Sequence, residues 1–190
     1  MKLIKSKKHL FSSLLILLLV TALTSCKSNK ELKSGSFTLT YPSDLNIVEY
    51  SDHIPQEYLD YYPEYHYLMC LEENANYKRE FRSPEECVFE MAVLIDPGED
   101  GLSIEDYTKA RLKSLSGNNN IWSVISTIEK KEDSIITRAA PYYEAVQDMG
   151  VHYFRFFKKD DKVALIDITV REEADEKYRK AVETILKTAK

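Results

Sequence analysis

Alternating hydrophobic and polar residues mark the first predicted strand of the chain. Phe37, Leu39 and Tyr41 alternate with small polar residues up to Pro42, a period of two that is typical of a half-buried strand. Further stretches rich in branched and aromatic residues predict more strands, at residues 47–50, 65–72, 87–95, 121–128, 134–137, 142–147, 151–157 and 162–170. Because strands follow one another along most of the chain, we expect a largely antiparallel sheet.

Two segments show the helical period instead. Residues 103–116 present one apolar face after Ser103, a residue type that favours the N-cap of a helix. Residues 173–190 carry an apolar stripe, with acids in the first turn and lysines in the last, as the helix dipole favours. The strand at 163–170 is apolar on nearly both faces, apart from Asp167 and Thr169, which predicts a central strand covered on each side.

These elements together predict an α+β domain in which helices cover a largely antiparallel β-sheet. The alternative is a lipocalin-like β-barrel, which would need more short hairpins and would leave the helix at 103–116 without a role. A chain of 190 residues that is 44% hydrophobic can bury one sizeable core, so we expect one globular domain. Its 5 glycines and 6 prolines exclude a low-complexity or collagen-like chain.

The N-terminus has the features of a targeting signal. Four lysines precede the apolar run Leu14–Val20, which is too short to span a bilayer. Residues 23–26 (Leu-Thr-Ser-Cys) then resemble the lipobox of bacterial lipoproteins, in which the cysteine is lipidated before cleavage makes it the first residue. This resemblance implies a removed signal peptide at 1–25, acyl chains such as palmitate on Cys26 and a membrane anchor, with a polar tether over 26–35. The alternative is an ordinary signal peptide with a chance cysteine at the cut.

Net charge argues against nucleic acid as a partner. The chain has 26 basic and 31 acidic residues, and removal of 1–25 takes away four lysines and no acid, so the formal charge changes from −5 to 22 − 31 = −9. Phosphate contacts need a concentrated positive face, which an anionic domain lacks. Lys27 stands where an aspartate signals inner-membrane retention in well-studied enterobacterial lipoproteins. The lipoprotein resemblance therefore favours the outer membrane, on its periplasmic or its surface side.

Residues 36–190 resemble the PsbP-like family. The resemblance rests on Ser-Phe-Thr-Leu-Thr-Tyr-Pro-Ser-Asp at 36–44, on the helix opened by Ser-Ile-Glu-Asp-Tyr at 103–107, and on the closing strand and helix at 163–190. The family includes the extrinsic PsbP subunit of the photosystem, a Ran-binding nuclear import factor and many bacterial lipoproteins. It implies an α/β/α sandwich that serves as a binding or assembly module, generally without catalysis. The chain departs from the family at Leu45, where relatives often have a tryptophan.

Cys70 and Cys87 lie on consecutive predicted strands and, after the lipobox, outside the cytoplasm. Neighbouring antiparallel strands bring Cα atoms within about 5.5 Å, which permits a disulfide. We therefore predict a disulfide between them. The alternative is two buried free thiols on strands that are not neighbours.

A run of tyrosines is the predicted contact surface for a partner or ligand. It comprises Tyr58, Tyr61, Tyr62, Tyr65 and Tyr67. Exposed tyrosines offer rigid, amphipathic contact area that suits sugars, peptides and protein partners. The alternative is a loop whose rings cover one end of the sheet.

The residues that could support catalysis form no recognisable motif. The histidines after the signal peptide, His53, His66 and His152, show neither zinc-type spacing nor a nearby nucleophile signature. The acidic segment 96–101 is typical of a turn rather than a calcium loop, so we expect no metal and no cofactor. We predict a membrane-anchored, non-enzymatic binding or assembly module at the cell envelope, whose partner is an envelope protein or a small ligand. The alternatives are an envelope hydrolase with a site assembled only in three dimensions, and a structural or stress lipoprotein without a specific ligand.

Overall fold

The structure is a computed structural model of the chain. It describes residues 28–50, 54–71, 87–97, 102–116, 122–141 and 150–190. These residues form nine strands and three helices, and none of the helices is long and apolar enough to cross a bilayer. The predicted signal peptide with Cys26, as well as His53 and the predicted strand at 142–147, lies outside the described residues.

Seven strands form one antiparallel sheet in the order β3-β4-β5-β9-β8-β7-β6. Their bounds are β3 (Asn46–Glu49), β4 (Glu64–Leu71), β5 (Cys87–Asp96), β6 (Trp122–Lys130), β7 (Ser134–Pro141), β8 (Val151–Lys159) and β9 (Lys162–Val170). A separate hairpin consists of β1 (Asn29–Ser34) and β2 (Phe37–Pro42). The predicted α+β class is confirmed. The lipocalin-like barrel is wrong, because β3 and β6 are the open edges of the described sheet and do not pair with each other.

Strand β9 is central, and its two faces define the layers of the domain. It pairs with β5 on one side and with β8 on the other. Ala164 and Ile166 belong to the larger buried cluster, which β2 and helix α3 (Glu172–Thr188) cover. Leu165 belongs to a second buried cluster beneath helix α2 (Ile104–Ser116). The prediction of a central strand covered on each side is confirmed.

The two long helices form where their apolar periods predict them. At the start of α2, the backbone N–H of Asp106 donates to Ser103 Oγ at 3.1 Å, which is the N-cap bond expected there. Helix α3 buries its apolar stripe against the sheet. After its last turn, Arg155 Nη1 on β8 donates to the Ala189 carbonyl at 2.7 Å, so a strand residue satisfies an acceptor at the helix end. A third, short helix, α1 (Gln56–Tyr61), was not expected from the sequence.

The segment predicted as a polar tether is a strand. β1 pairs along its whole length with β2. β1 lies at the outside of the domain and adds only Leu32 to the edge of the core. Its sequence is therefore polar and cannot be distinguished from that of a linker. Gly35 closes the hairpin with a φ of 55°, a conformation that glycine adopts without strain. The folded domain therefore already includes Asn29 and does not begin at Ser36.

We name the two ends of the sheet the Ser43 end and the Tyr61 end. At the Ser43 end, β1 begins, β2 and β4 finish, and β5 and β8 begin. At the Tyr61 end, β4 begins, β5 finishes and a tight turn joins β8 to β9. β5 has 10 residues, and at about 3.3 Å per residue the two ends are about 30 Å apart.

Candidate functional site

Four of the five predicted tyrosines pack into one cluster of rings. They are Tyr58, Tyr61, Tyr62 and Tyr65. Tyr62 is at the centre, with the ring centroids of the other three 4.9 to 6.3 Å away. Tyr67 stands apart and packs against Tyr50, at a centroid distance of 6.5 Å. We call the four packed rings the tyrosine cluster.

The tyrosine cluster has a buried side and an exposed side. Tyr62 is 9% exposed and closes the core at the Tyr61 end, whereas Tyr61 is 64% exposed and Tyr58 is 44% exposed. Helix α1, which carries the two exposed rings, buries none of its residues. The two interpretations of the tyrosine run therefore apply to different members: Tyr62 covers the sheet, and Tyr61 and Tyr58 face solvent.

A cleft of about 240 Å³ opens beside Tyr61. It lies between the end of α1, the end of β5 and one face of α2. Its lining includes Tyr61, Asp96, Leu102, Tyr107, Arg111 and Ser114. Pockets for drug-sized ligands usually measure about 300–1,000 Å³, so this cleft suits a single compact group.

An aspartate and an arginine form the polar floor of the cleft. Arg111 Nη2 donates to the Tyr62 hydroxyl at 2.7 Å, and Arg111 Nε lies 3.7 Å from Asp96 Oδ2. The Tyr107 hydroxyl donates to the same Asp96 oxygen. Arg111 Nε is buried without a hydrogen-bond partner. The charges of Asp96 and Arg111 therefore balance, and Arg111 Nε does not hydrogen-bond to the carboxylate.

The surroundings of Tyr107 and Arg111 raise the pKa values of both groups. Burial, followed by the hydrogen bond to Asp96, raises the pKa of Tyr107 far above its ordinary value, so its hydroxyl keeps its proton. Burial lowers the pKa of Arg111, but Tyr62 and Asp96 outweigh that effect and leave it raised. Arg111 therefore stays cationic in the cleft.

Sequence reasoning missed the floor of the cleft. The sequence did place Tyr107 and Arg111 on one helix, four residues apart, and positions i and i+4 share a helix face. It assigned Asp96 only to a turn. What joins them to Tyr62 is a contact between residues 49 positions apart, which no local pattern contains.

His152 meets an acid and a hydroxyl on the same sheet face as α2. Its Nδ1 lies 2.9 Å from Asp167 Oδ1 and 3.2 Å from Thr169 Oγ1. A Ser-His-Asp type of relay needs the acid on one ring nitrogen and the hydroxyl on the other. Here both partners meet Nδ1, so Thr169 is not positioned as a nucleophile that His152 could activate.

The two carboxylate partners of His66 join the β1–β2 hairpin to the sheet. His66 Nδ1 lies 2.8 Å from Glu49 Oε1, and its Nε2 lies 3.1 Å from Glu64 Oε1. The Ser36 backbone N–H donates to the same Glu64 oxygen at 2.6 Å, and a Cβ at Gly35 would lie only 2.0 Å from it. Since each ring nitrogen of His66 has a carboxylate partner, His66 holds the side chains of Glu49 and Glu64 in place. In the described part of the chain, no group of three His, Cys, Asp or Glu residues is arranged to hold a metal ion.

Comparison with known proteins adds a likeness in fold. No family model and no curated protein matches the chain. A solved structure that is similar is the solution structure of CyanoP, the cyanobacterial PsbP of Synechocystis sp. PCC 6803. The match covers 87% of this chain and 94% of that chain, with 9% sequence identity and a TM-score of 0.49. At this identity the likeness concerns the fold alone.

Cys70 and Cys87 are buried thiols that form no disulfide, so the expected bridge is absent. They lie on neighbouring strands, but the register places Cys70 opposite Phe89 and Leu71 opposite Cys87, with an irregularity at that point. Cys70 belongs to the larger buried cluster, whereas Cys87 packs with Leu71 in a separate one. Burial raises the pKa of Cys70 to about 12, so this thiol stays protonated and unreactive.

Proposed function

We propose that the chain is a lipid-anchored bacterial lipoprotein of the outer membrane, whose domain is a non-enzymatic binding or assembly module at the cell envelope. Anchoring is supported by the lipobox-like residues 23–26 and by Cys26 as the acylated position. Binding is supported by one feature of the structure above all: two exposed tyrosines stand beside a cleft with a polar floor. The partner is an envelope protein or a small ligand, and no nucleic acid is expected.

The arrangement of the tyrosines favours binding because it is held in place before any partner arrives. Tyr62 is fixed by its hydrogen bond from Arg111, and Tyr61 packs edge-on against it at 4.9 Å. Rigid aromatic side chains lose little conformational freedom on binding and are common anchors in protein interfaces. Tyr58 and Tyr61 therefore offer apolar contact area at a low entropic cost.

The cleft favours a compact group that carries no net charge. Asp96 and Arg111 oppose each other on the floor, so neither an anion nor a cation gains a net attraction. Tyr61 and Leu102 are exposed large hydrophobic residues, and both line the cleft. A hydroxyl-bearing or amide-bearing group with an apolar face suits both features, such as one sugar ring or one side chain of a partner protein.

Crosslinking in intact cells tests the proposal. A photoreactive residue at Leu59, which is 42% exposed on α1, should yield a reproducible crosslinked envelope component. Tyr61→Ala should lower that yield several-fold. Ile125→Ala is the matched control, since Ile125 is 51% exposed on β6 and away from the cleft. Equal yields from the two variants would refute the cleft as the contact site, and no specific product at all would favour a structural lipoprotein without a ligand.

A further inference from the structure

The folded body starts almost at the lipidated cysteine. The Ser43 backbone N–H donates to the Ser28 carbonyl at 2.9 Å, and the two side-chain hydroxyls lie 3.0 Å apart. Strand β1 continues directly from Asn29. Ser28, the first described residue, is thus held by the domain only two positions after Cys26.

Such a short connection sets a strict limit on distance. Two residues span at most about 7 Å when fully extended, whereas the tether expected from the sequence would have reached about 30 Å. If acyl chains on Cys26 are in the bilayer, the Ser43 end of the domain must lie at the headgroups. The domain then lacks the long flexible linker that would let it rotate freely above the membrane.

We infer that the corner formed by Ser28, Asn29, Pro42 and Ser43 is a membrane-facing surface that rests on phospholipid headgroups and holds the domain in one orientation. The inference depends on the lipid anchoring put forward under Proposed function. Ser28 and Asn29 are exposed, and Pro42 and Ser43 are half-buried. Small polar side chains suit the hydrated headgroup layer and need no insertion into the hydrocarbon.

This orientation places the cleft far from the membrane. The cleft lies at the Tyr61 end, about 30 Å along the strands from the Ser43 end. Tyr58 and Tyr61 are then displayed to the aqueous compartment at a set height. A partner must be a molecule in that compartment or a membrane protein whose exposed part extends to this height.

Quenching by headgroup-labelled lipids tests the orientation. The full lipidated protein, purified with its acyl chains, is reconstituted in phosphatidylethanolamine and phosphatidylglycerol vesicles that contain a nitroxide on the headgroup. A fluorophore is attached at Asn29→Cys or at Asp161→Cys, an exposed position in the β8–β9 turn of the Tyr61 end. The parent protein shows the background from the two buried thiols. We expect several-fold stronger quenching at position 29 than at position 161.

A linker variant provides the matched control. Insertion of about ten Gly and Ser residues between Lys27 and Ser28 adds a flexible linker, so the difference between the two labels should shrink. Equal quenching at both positions in the protein without the insertion would overturn the inference, while flotation of that protein with the vesicles would show that anchoring itself holds. A protein that does not float, with an unmodified Cys26 by mass spectrometry, would overturn the anchoring and the orientation together.

Discussion

Two buried aspartates in this domain have similar partners but different surroundings. Asp96 is 6% exposed and Asp175 is 5% exposed, so burial does not distinguish them. Each accepts a hydrogen bond from a tyrosine hydroxyl, and each lies beside arginine. One is at the floor of the cleft, and the other is in the first turn of α3.

The Asp175 cluster is closed by hydrogen bonds. Arg138 and Arg179 donate to Asp175 Oδ2 at 2.8 and 2.7 Å, and the Tyr153 hydroxyl donates to Oδ1. Arg138 Nε also donates to the Tyr153 hydroxyl at 3.2 Å. These bonds join β7, β8 and α3, so the cluster fixes the helix on the sheet.

The Asp96 cluster borders the cleft, and we call it the open cluster for that reason. Arg111 Nε is 3.7 Å from the carboxylate and has no hydrogen-bond partner, and a cleft of about 240 Å³ lies beside the pair. A buried polar group without a hydrogen bond costs stability, so this arginine nitrogen does not add to the stability of the fold as the bonds around Asp175 do. The same three residue types therefore fix a helix on the sheet at one site and line a cleft at the other.

The largest expected effect comes from removing the carboxylate of the closed cluster. Asp175→Ala should lower the free energy of unfolding by about 3–5 kcal/mol, because it leaves Arg138 partly buried without its charge partner. Urea unfolding followed by circular dichroism measures the loss. Glu183→Ala serves as the control, since it breaks only a Lys187–Glu183 pair at the helix surface and should cost less than about 1 kcal/mol. Similar losses in the two variants would show that the cluster does not fix the helix.

The second largest effect is expected from acid, which should reduce the contribution of the Asp175 cluster to the free energy of unfolding. Burial raises the pKa of Asp175, but the hydrogen bonds from Tyr153, Arg179 and Arg138 outweigh it, so its pKa in the folded protein lies below the ordinary value of 3.8. Because its pKa is lower in the folded protein, ionised Asp175 stabilises the fold fully at pH values above its pKa in the unfolded chain. This stabilisation is lost as the pH falls through its pKa in the folded protein.

Unfolding curves across the acid range measure this contribution. The free energy of unfolding should decline below about pH 4. In Asp175→Asn the decline should be shallower. An unchanged pH dependence in that variant would assign the acid sensitivity to other carboxylates, such as Glu64, whose pKa is also lowered.

A smaller difference should separate the two tyrosine hydroxyls. Tyr153→Phe removes a donor to Asp175 and an acceptor for Arg138, and should cost about 2 kcal/mol. Tyr107→Phe removes a donor to Asp96, and should cost about 1 kcal/mol. Thermal and urea unfolding of the two matched variants give the comparison. A larger loss for Tyr107→Phe would mean that the open cluster is as structural as the closed one.

The smallest effect on stability is expected at the mouth of the cleft. Tyr61 is 64% exposed, so Tyr61→Ala should change the free energy of unfolding by no more than about 0.5 kcal/mol. The same variant should lose crosslinking to the envelope partner. A large stability loss would place Tyr61 in the structural part of the cluster together with Tyr62.

Local periodicity was sufficient for the main elements of the fold. β2, β9, α2 and α3 form where the spacing of apolar residues predicts them, because one strand face or one helix stripe must be buried and this requirement is written into neighbouring residues. β1 was misread for the same reason. It buries only Ser34 fully and Leu32 partly, so its sequence has no apolar period to detect.

The candidate site was only half predictable. Tyrosines crowded together in sequence indicated a contact surface, but which rings face solvent depends on how α1 lies over the end of the sheet. The prediction of a disulfide was wrong because it depended on the register between two strands. The presence of two cysteines on neighbouring strands was readable from the sequence, whereas the register that opposes Cys70 to Phe89 was not.

The amino-acid sequence by itself determined the α+β class, the central strand, the two long helices and a lipobox-like start, because each is a local pattern of burial or charge. Only the tertiary structure decided that Asp96, Arg111 and Tyr62 share a cleft and that Ser28 is bound to Ser43. These contacts join residues distant in the chain, and their geometry depends on strand order and on helix packing. No short stretch of sequence contains that information.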